Sequence, residues 1–537
     1  MNIIVLLYLQ SYHIMEDSIS FSLTLIISLL ALLVCIFIYF FRRWLTDDTK
    51  AFNAPQAGGA LPIIGHLHLF GEQQLLHRTL ASMADKYGPA FTIRMGSNKV
   101  LILSSWEMAK ECFTVQDRVF SSRPIVTASK ILGYDCAMFG FAPYGAYWRE
   151  VRKIATIELL SNHRLEKLKH LRTSEVDIAV KELYNSWSSQ GCPENGVLLD
   201  MKQWFGNLCF NVLLRMVAGK RYFGASSEDD GEAQYCQKVI RDLVHLFGVP
   251  VISDAIPMLK WWDRNGVKRE MKKTARKLDQ LIGEWLEEHK QKRRLLDEPA
   301  AREEQDFMDV MLRILQENPI PFYDSDTIIK STSLNMIAGA DSIVVAITWA
   351  LCLILNNPRV LKKAQDELDI QIGRERQAKE SDIKNLPYLQ AIVKESLRLY
   401  PAGQLISFLE ATEDCTLSTG YHVPAGTQLM VNLWKIHRDE QAWPDPHSFK
   451  PERFLYSNKD IDVKGKNYEL LPFGSGRRSC PGMSLALQMM HLTLTALLHS
   501  FEMFTPFNEP VDMTMTTGLS SIKATPLEVY LIPRINF

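Results

Sequence analysis

The chain has 537 residues, of which 47% are hydrophobic and 23% are charged, so it can bury one large core or two or three smaller ones. Its formal net charge of -1 provides no basic excess, which argues against nucleic acid as a partner. The nine cysteines are scattered singly, without a CxxC pair. This usage indicates reduced thiols on the cytosolic side and argues against a disulfide framework.

The first predicted element is a membrane anchor over residues 18–41, an apolar run without charge. About 20 apolar residues in a helix span the hydrocarbon core of a bilayer. Arg42 and Arg43 follow at once, and by the positive-inside rule they stay cytosolic while residues 1–17 form a short lumenal N-terminus. A cleaved signal peptide is the alternative, but no small-residue cleavage pattern follows the run. Residues 42–65 indicate a basic linker rich in proline and glycine.

The remainder, residues 66–537, is expected to be one cytosolic domain. Alternating runs predict short strands at 91–94 and 100–103 around a turn. Residues 121–146 contain several glycines and two prolines, and an irregular segment of this length is typical of a ligand-facing loop. Apolar periodicity predicts helices at the following positions: 75–87, 147–160, 165–189, 201–218, 233–247, 268–296 and 305–316.

A longer apolar helix is predicted over residues 323–356, and its composition indicates that it crosses the core. The sequence AGADS at residues 338–342 is expected to interrupt this helix. Small residues allow close backbone approach, and a hydroxyl or carboxylate can open the hydrogen-bond ladder or admit water. Taken alone, the sequence is equally compatible with a tolerated glycine in an ordinary helix.

Glu395 and Arg398 stand three residues apart near the end of a further helix, so they share one face. An exposed pair of this kind contributes only about 0.2–0.5 kcal/mol, but the apolar residues that follow favour a buried, structural pair. Short strands with intervening turns are predicted between residues 405 and 432, and a proline-rich coil at 444–454.

A glycine-rich loop, FGSGRRSCPG, occupies residues 473–482 and precedes an apolar helix predicted over 484–501. A thiolate at Cys480 is expected to be favoured by the positive end of that helix and by unpaired backbone N–H groups. Arg477 and Arg478 add positive charge suited to a bound anion. A cysteine thiolate is one of the axial ligands that proteins use for haem iron. An inert buried thiol is the alternative for a single cysteine.

Four elements in this order resemble the cytochrome P450 family: Trp148-x-x-x-Arg152, AGADS, Glu395-x-x-Arg398 and Phe473-x-x-Gly476-x-Arg478-x-Cys480-x-Gly482. The resemblance covers nearly the whole chain, and the cysteine-loop motif is highly specific. The anchor and the segments PFGSGRRSCPG and DAIPMLKWWD look like plant endoplasmic-reticulum members. The segments GHLHLFG, MADKYGPAFTIRMG and EATEDC look most similar to a specialised-metabolism subfamily that includes benzylisoquinoline alkaloid hydroxylases. The resemblance implies the cytochrome P450 fold, mainly α with small β-sheets (α+β), behind one N-terminal transmembrane helix.

The cofactor that the resemblance implies is haem b. The residues assigned to it are Trp148, Arg152, Phe473, Gly476, Arg478, Cys480 and Gly482. Cys480 is expected to be the fifth ligand of the iron, with the tryptophan and both arginines near the propionates, since guanidinium groups prefer carboxylates. The phenylalanine is expected to pack beside the sulfur, and the glycines to keep the loop compact. Glu395 and Arg398 are expected to bond Arg453.

Catalysis is assigned by the resemblance to Asp341 and Ser342, as a carboxylate and a hydroxyl that relay protons during oxygen activation. The family usually has threonine where Ser342 stands, and the less constrained rotamer of serine is expected to loosen the coupling of oxygen use to product. Leu409 is a second departure, because a basic residue near a propionate is expected there. Ile406, Ser407 and Phe408 are expected to reshape the roof of the pocket.

The function implied by the resemblance is NADPH- and O2-dependent monooxygenation of a small, apolar plant metabolite, with an alkaloid preferred over a lignan, flavonoid or terpenoid. The chain has no GxGxxG after a strand and no flavin segment. Electrons are therefore expected from a separate NADPH–cytochrome P450 reductase, with cytochrome b5 as a further candidate partner. Arg149, Arg152, Lys153 and Arg477 are expected to form a basic docking face.

The enzyme is expected in the endoplasmic reticulum membrane, in contact with lipid, through a single span. Two alternatives stay open. One is an oxygen-independent rearrangement, against which the retained Asp341 and Ser342 argue. The other is a non-catalytic haem- or ligand-binding membrane protein.

Overall fold

The computed structural model describes residues 22–32, 34–35, 38, 52–70, 75–224, 230–263, 265–295, 306–516, 518 and 520–535. The chain divides into two compact units. The small unit contains the N-terminal residues to Asn53 together with the segment 416–422, and in it the rings of Phe52 and Tyr421 stack with centroids 5.2 Å apart. The large unit consists of residues 54–415 and 423–537.

A short apolar helix, Ser22–Leu32, lies within the predicted anchor. Its apolar side chains are exposed, with Leu23 at 58% and Leu32 at 59%. Arg42, Arg43 and most of the remaining anchor lie outside the described residues. Among the described helices only Ser325–Leu355 is long and apolar enough to cross a bilayer, and 72% of its most apolar window is buried within the protein. It is a core helix.

The large unit is mainly helical. Its helices are α1 Leu76–Tyr87, α2 Trp106–Phe113, α3 Thr127–Ile131, α4 Ala146–Ile154, α5 Asn162–Lys167, α6 Lys169–Ser189, α7 Met201–Ala218, α8 Asp230–Gly248, α9 Ile252–Ala255, α10 Val267–Leu295, α11 Phe307–Glu317, α12 Ser325–Leu355, α13 Pro358–Gln371, α14 Pro387–Leu399, α15 Leu433–Ile436 and α16 Met483–Ser500. A single π-helical turn, Ala155–Leu159, extends α4. The predicted helices are confirmed to within a few residues, except that the one expected at 165–189 is divided at Leu168 into α5 and α6.

The described strands are β1 Ala90–Met95, β2 Asn98–Leu103, β3 Val197–Asp200, β4 Leu405–Glu410, β5 Cys415–Thr416, β6 His422–Val423, β7 Gln428–Asn432, β8 Phe501–Phe504 and β9 Glu528–Pro533. They form sheets in the orders β1-β2-β7-β4, β3-β9-β8 and β5-β6. The predicted β1–β2 hairpin is confirmed, with antiparallel pairing. Strand β4 pairs antiparallel with β7, and its register shifts between Ile406 and Leu409.

Residues 54–65 follow the first sheet closely. Ala57 donates its N–H to the carbonyl of Thr92 at 2.9 Å, and Thr92 donates back to Pro55 at 2.8 Å. Ala57 is buried. This part of the predicted linker is therefore fixed along β1.

The central helix α12 runs without a break through residues 338–342. The expected interruption at AGADS is therefore wrong. No described hydrogen bond joins the side chain of Asp341 or Ser342 to a carbonyl of the helix, so neither competes with the backbone ladder. Packing against α7, α11, α14 and α16 stabilises the helix despite Gly339.

Candidate active site

The loop before α16 is held in a tight conformation by its glycines. Cys480 donates its N–H to the carbonyl of Phe473 at 2.8 Å. Gly476 has φ +66°, and a Cβ there would lie 2.3 Å from Oδ1 of Asp117. A larger residue at 476 would displace the loop from Asp117. A Cβ on Gly482 would lie 3.9 Å from the sulfur of Cys480.

Cys480 is exposed, whereas Cys112 and Cys209 are buried. Its surroundings still remove the thiol from bulk water, and this desolvation raises its pKa. The Gly482 N–H and the charge of Arg152 lower the pKa and oppose this effect. Desolvation is the largest of these effects, and it opposes the lowering of the thiol pKa that is expected from the helix terminus and the backbone N–H groups.

Arg152 and Arg478 both point toward the interior around this loop. Arg152 donates from Nη2 to the carbonyl of Ser479 at 2.5 Å. Arg478 donates from Nη2 to Ala142 O at 2.6 Å, and its guanidinium lies 4.3 Å from the ring centroid of buried Trp148. The structure therefore brings together three residues that the sequence singled out.

Arg123 also belongs to this group of side chains around the cysteine loop, and it was not predicted from the sequence. It donates from Nη1 to the carbonyls of Ser407 and Phe408, the latter at 3.1 Å, directly beside Leu409. Its Nε is buried and has no partner among the described residues. An Arg-Pro pair in an apolar irregular segment is the only local signal in the sequence.

The three guanidinium groups of Arg123, Arg152 and Arg478 carry positive charge that no described carboxylate neutralises by an ion pair. Burial, reinforced by the charges of Arg123 and Arg152, lowers the pKa of Arg478 to about 9. Burial also lowers the pKa of Arg123 to about 10. A cluster of this kind suits a bound dianion, since guanidinium groups bind carboxylates in a fork geometry.

One face of α12 is accessible although the helix crosses the core. Asn335, Gly339 and Ser342 lie at helical spacing and are partly or fully exposed, while Ala340 and Ile343 are buried. A Cβ built on Gly339 meets no atom within 4 Å. This face therefore borders open space, into which Ser342 presents its hydroxyl.

Asp341 stands next to this face and is partly buried. Its Oδ2 is fully enclosed and has no hydrogen-bond partner among the described residues. Desolvation raises the pKa of its carboxyl, while the charges of Arg241 and Lys202 lower it. The net shift is upward, so the carboxyl retains a proton to higher pH than an exposed aspartate.

The predicted network of Glu395, Arg398 and Arg453 is confirmed. All three side chains are buried. Arg398 binds the carboxylate of Glu395 through two hydrogen bonds of 2.8 and 2.9 Å, and Nε of Arg453 binds the same carboxylate at 3.0 Å. The amide of Lys450 adds a further bond to Glu395 at 2.9 Å. The network fixes α14 to the coil before the cysteine loop.

The predicted docking face is wrong for Arg152, which points inward to Ser479. Arg477 is exposed, but it forms an ion pair of 2.5 Å with Asp117. Arg149 and Lys153 are exposed on α4. The exposed basic surface therefore contains fewer free positive charges than predicted from the sequence, with Arg149 and Lys153 as its main members.

The cytochrome P450 family model matches residues 55–530. The chain belongs to the cytochrome P450 family. It is 51% identical to strychnine-10-hydroxylase of Strychnos nux-vomica over 97% of this chain and 99% of that one. It is also 51% identical to a xanthotoxin 5-hydroxylase of Arabidopsis thaliana, with 94% and 97% covered. A zebra fish cytochrome P450 solved with progesterone superposes with a TM-score of 0.71 at 25% identity, covering 86% of this chain and 100% of that one.

Membership confirms the predicted fold, which is mainly helical with small sheets. The chain is a cytochrome P450 monooxygenase that uses a haem-thiolate iron cofactor, takes electrons from a redox partner and binds a small substrate. The residues present fit this cofactor. Two propionate groups would match the positive charge of the arginine cluster, and Cys480 is an exposed cysteine beside that cluster.

Proposed function

We propose that Cys480 is the axial ligand of the haem iron and that Trp148, Arg152 and Arg478 hold the propionates. The proposal is supported by the exposed residue Cys480 in the same loop as Arg478, and by three partly buried arginines, Arg123, Arg152 and Arg478, that form no ion pair with a described carboxylate. Arg123 adds the positive charge that Leu409 does not provide. Phe473 is proposed to pack beside the sulfur, Gly476 permits the tight turn of the loop against Asp117, and Gly482 is proposed to keep the loop compact.

When bound, the haem supplies the oxygen activation that no side chain can perform. Asp341 and Ser342 supply the protons. Burial raises the pKa of Asp341, which favours its protonated form relative to an exposed aspartate. The Ser342 hydroxyl can accept a hydrogen bond and donate another within the open space beside α12. The serine therefore passes a proton onward, directly or through water.

The substrate proposed is a plant specialised metabolite, with an alkaloid as the first choice and a lignan, flavonoid or terpenoid as alternatives. The accessible face of α12 supports a flat, largely apolar molecule, because it is formed mainly of small residues. One relative at 51% identity is named for strychnine and another for xanthotoxin. The open space beside the small residues of α12 is the main support for the proposed class of substrate. The named substrates of the relatives suggest which compounds to test.

The decisive experiment is turnover by a microsomal preparation with NADPH and ¹⁸O2. Strychnine, xanthotoxin and a panel of plant alkaloids, lignans and flavonoids would be offered, with mass-spectral detection. We expect one labelled oxygen atom in a product of one of these classes. Product formed without NADPH and O2 would support a rearrangement instead, and a haem spectrum without oxidation of any compound would support a non-catalytic binding protein.

Electrons are proposed to come from NADPH–cytochrome P450 reductase, with cytochrome b5 as a second donor. Exposed Arg149 and Lys153 on α4 support a docking surface near the cysteine loop. Reversing both charges is expected to slow reduction at low salt. Stopped-flow reduction at several ionic strengths measures this, and an unchanged rate would exclude these residues.

The proposed location is the endoplasmic reticulum membrane, through one span at residues 18–41 with 1–17 lumenal, 42–65 as linker and 66–537 as the cytosolic catalytic domain. In the large unit, exposed Ile63 and Trp261 support additional contact with lipid, at 65% and 81% exposure. The β1–β2 turn joins their segments, since Gly96 donates to Ile64 O at 3.1 Å and Ser97 to Ala255 O at 2.8 Å. Carbonate extraction and protease protection of microsomes test this topology, and a freely soluble full-length chain would contradict it.

A further inference from the structure

His437 follows α15 and is fully buried. Its Nε2 lies 2.9 Å from the amide nitrogen of Leu471, and its Nδ1 lies 3.0 Å from the carbonyl oxygen of Arg398. A backbone amide can only donate and a carbonyl can only accept. Nε2 is therefore the acceptor, and Nδ1 carries the proton. Burial lowers the pKa of the imidazole to about 3, so the ring stays neutral in this tautomer.

The two nitrogens of this imidazole bind different parts of the site. Arg398 belongs to the buried network with Glu395, and its Nη1 donates back to the carbonyl of His437 at 2.7 Å. Leu471 lies two residues before the cysteine loop, and its carbonyl accepts the N–H of Gly474 in the loop at 3.0 Å. One imidazole therefore connects the glutamate–arginine network to the start of the loop.

The loop continues this connection to the sulfur. Phe473, two residues after Leu471, accepts the N–H of Cys480 at 2.8 Å. Leu471 is itself fully buried, so its amide has no access to water as a substitute partner. A shift of Leu471 would therefore be passed along the loop to Cys480.

We propose that His437 is a positioning residue that fixes the cysteine loop to the Arg398 network and so holds the sulfur where it can ligate iron. The inference rests on the proposed ligation by Cys480. Leucine at 437 would leave a buried carbonyl and a buried N–H unpaired, and the loop would relax. Glutamine carries one donor and one acceptor at a separation similar to that of the ring nitrogens, so it can restore both bonds.

The test compares the full-length holoenzyme with His437→Leu and His437→Gln. His499→Leu is a matched control, because His499 is equally buried and donates to the carbonyl of Gly373 at 2.7 Å near the distal end of α16. The first readout is the proportion of thiolate-type band in the reduced carbon-monoxide difference spectrum. The second is hydrogen exchange of the Leu471 amide, which does not depend on the iron.

We expect His437→Leu to lose part of the thiolate-type band and to gain a thiol-type band instead. This conversion should be several-fold larger than in His499→Leu, when the two variants lose a comparable amount of thermal stability. Exchange at Leu471 should become about tenfold faster in His437→Leu and stay near wild type in His437→Gln. A retained band with slow exchange in His437→Leu would overturn the proposal. Equal loss of the band in His499→Leu would overturn it as well.

If His437→Leu does not fold, His437→Gln and His437→Asn decide the matter, because the shorter asparagine can replace only one of the two bonds. The band should persist in the glutamine variant and decrease in the asparagine variant. The reverse order, or equal loss in both, would contradict the proposed role. Survival of the band in Cys480→Ala would instead refute the ligation on which the inference rests.

Discussion

The replacement Arg398→Lys tests the buried network most sharply. The side chain of Arg398 is 0% exposed, and its five N–H donors have five acceptors. Two bonds go to Glu395, at 2.8 and 2.9 Å. The others go to the carbonyls of His437 and Pro446, both at 2.7 Å, and of Ser448 at 3.2 Å. The cation is therefore fully satisfied in the core.

Lysine keeps the charge but has three donors, so at least two of these five buried hydrogen bonds are lost. A buried polar group without a partner costs about 1–3 kcal/mol. We therefore expect Arg398→Lys to lower the free energy of unfolding by about 2–6 kcal/mol. This is a large share of the roughly 5–15 kcal/mol that is typical of a folded protein. Urea unfolding of the purified, haem-loaded protein measures the change.

Arg374→Lys is the matched control, because Arg374 is 54% exposed and binds Asp369 at the surface. Its effect on the free energy of unfolding should be small, because solvent screens an exposed ion pair. A loss below about 1 kcal/mol for Arg398→Lys would refute the reasoning from donor number. An equal loss in both variants would show that any arginine-to-lysine change destabilises this protein.

Three further changes test other parts of the site. Ser342→Ala should lower the product formed per NADPH about tenfold, and Ser342→Thr should raise it above wild type, as measured against hydrogen peroxide release. Between pH 6.5 and 5 the free energy of unfolding of the wild type should fall by about 2 kcal/mol through His437. In the unfolded chain the imidazole takes up a proton below pH 6.5. In the folded protein it does not, because burial lowers its pKa to about 3. His437→Gln should lack this loss in urea unfolding at the two pH values. Arg123→Gln should speed haem transfer to apomyoglobin about tenfold, and Leu409→Arg in that background should slow it again.

Each of these expectations has a contradicting result. Unchanged coupling in Ser342→Ala would remove the hydroxyl from the proton relay. An equal acid loss in wild type and His437→Gln would assign that loss to other groups. Wild-type haem retention in Arg123→Gln would exclude this guanidinium as a propionate partner.

The pattern of apolar and polar residues was sufficient to predict the structure of segments whose surroundings depend mainly on their own residues. The bounds of α7, Met201–Ala218, coincide with its apolar run because the same residues form the helix and its buried face. The FGSGRRSCPG loop could also be recognised, since its glycines and cysteine stand within ten residues.

Roles that depend on distant contacts could not be predicted in this way. Arg123 meets Ser407 and Phe408 across 284 and 285 residues, and His437 reaches Leu471 across 34. Periodicity and spacing carry no information about such pairs. The expected break at AGADS failed for a related reason, because packing against the neighbouring helices outweighs the local cost of glycine.

The central claim is that Cys480 binds the haem iron as a thiolate. The reduced carbon-monoxide difference spectrum of the wild type and of Cys480→Ala tests it most directly. We predict a thiolate-type band in the wild type and none in the alanine variant. A wild type without this band, or an alanine variant that retains it, would contradict the account.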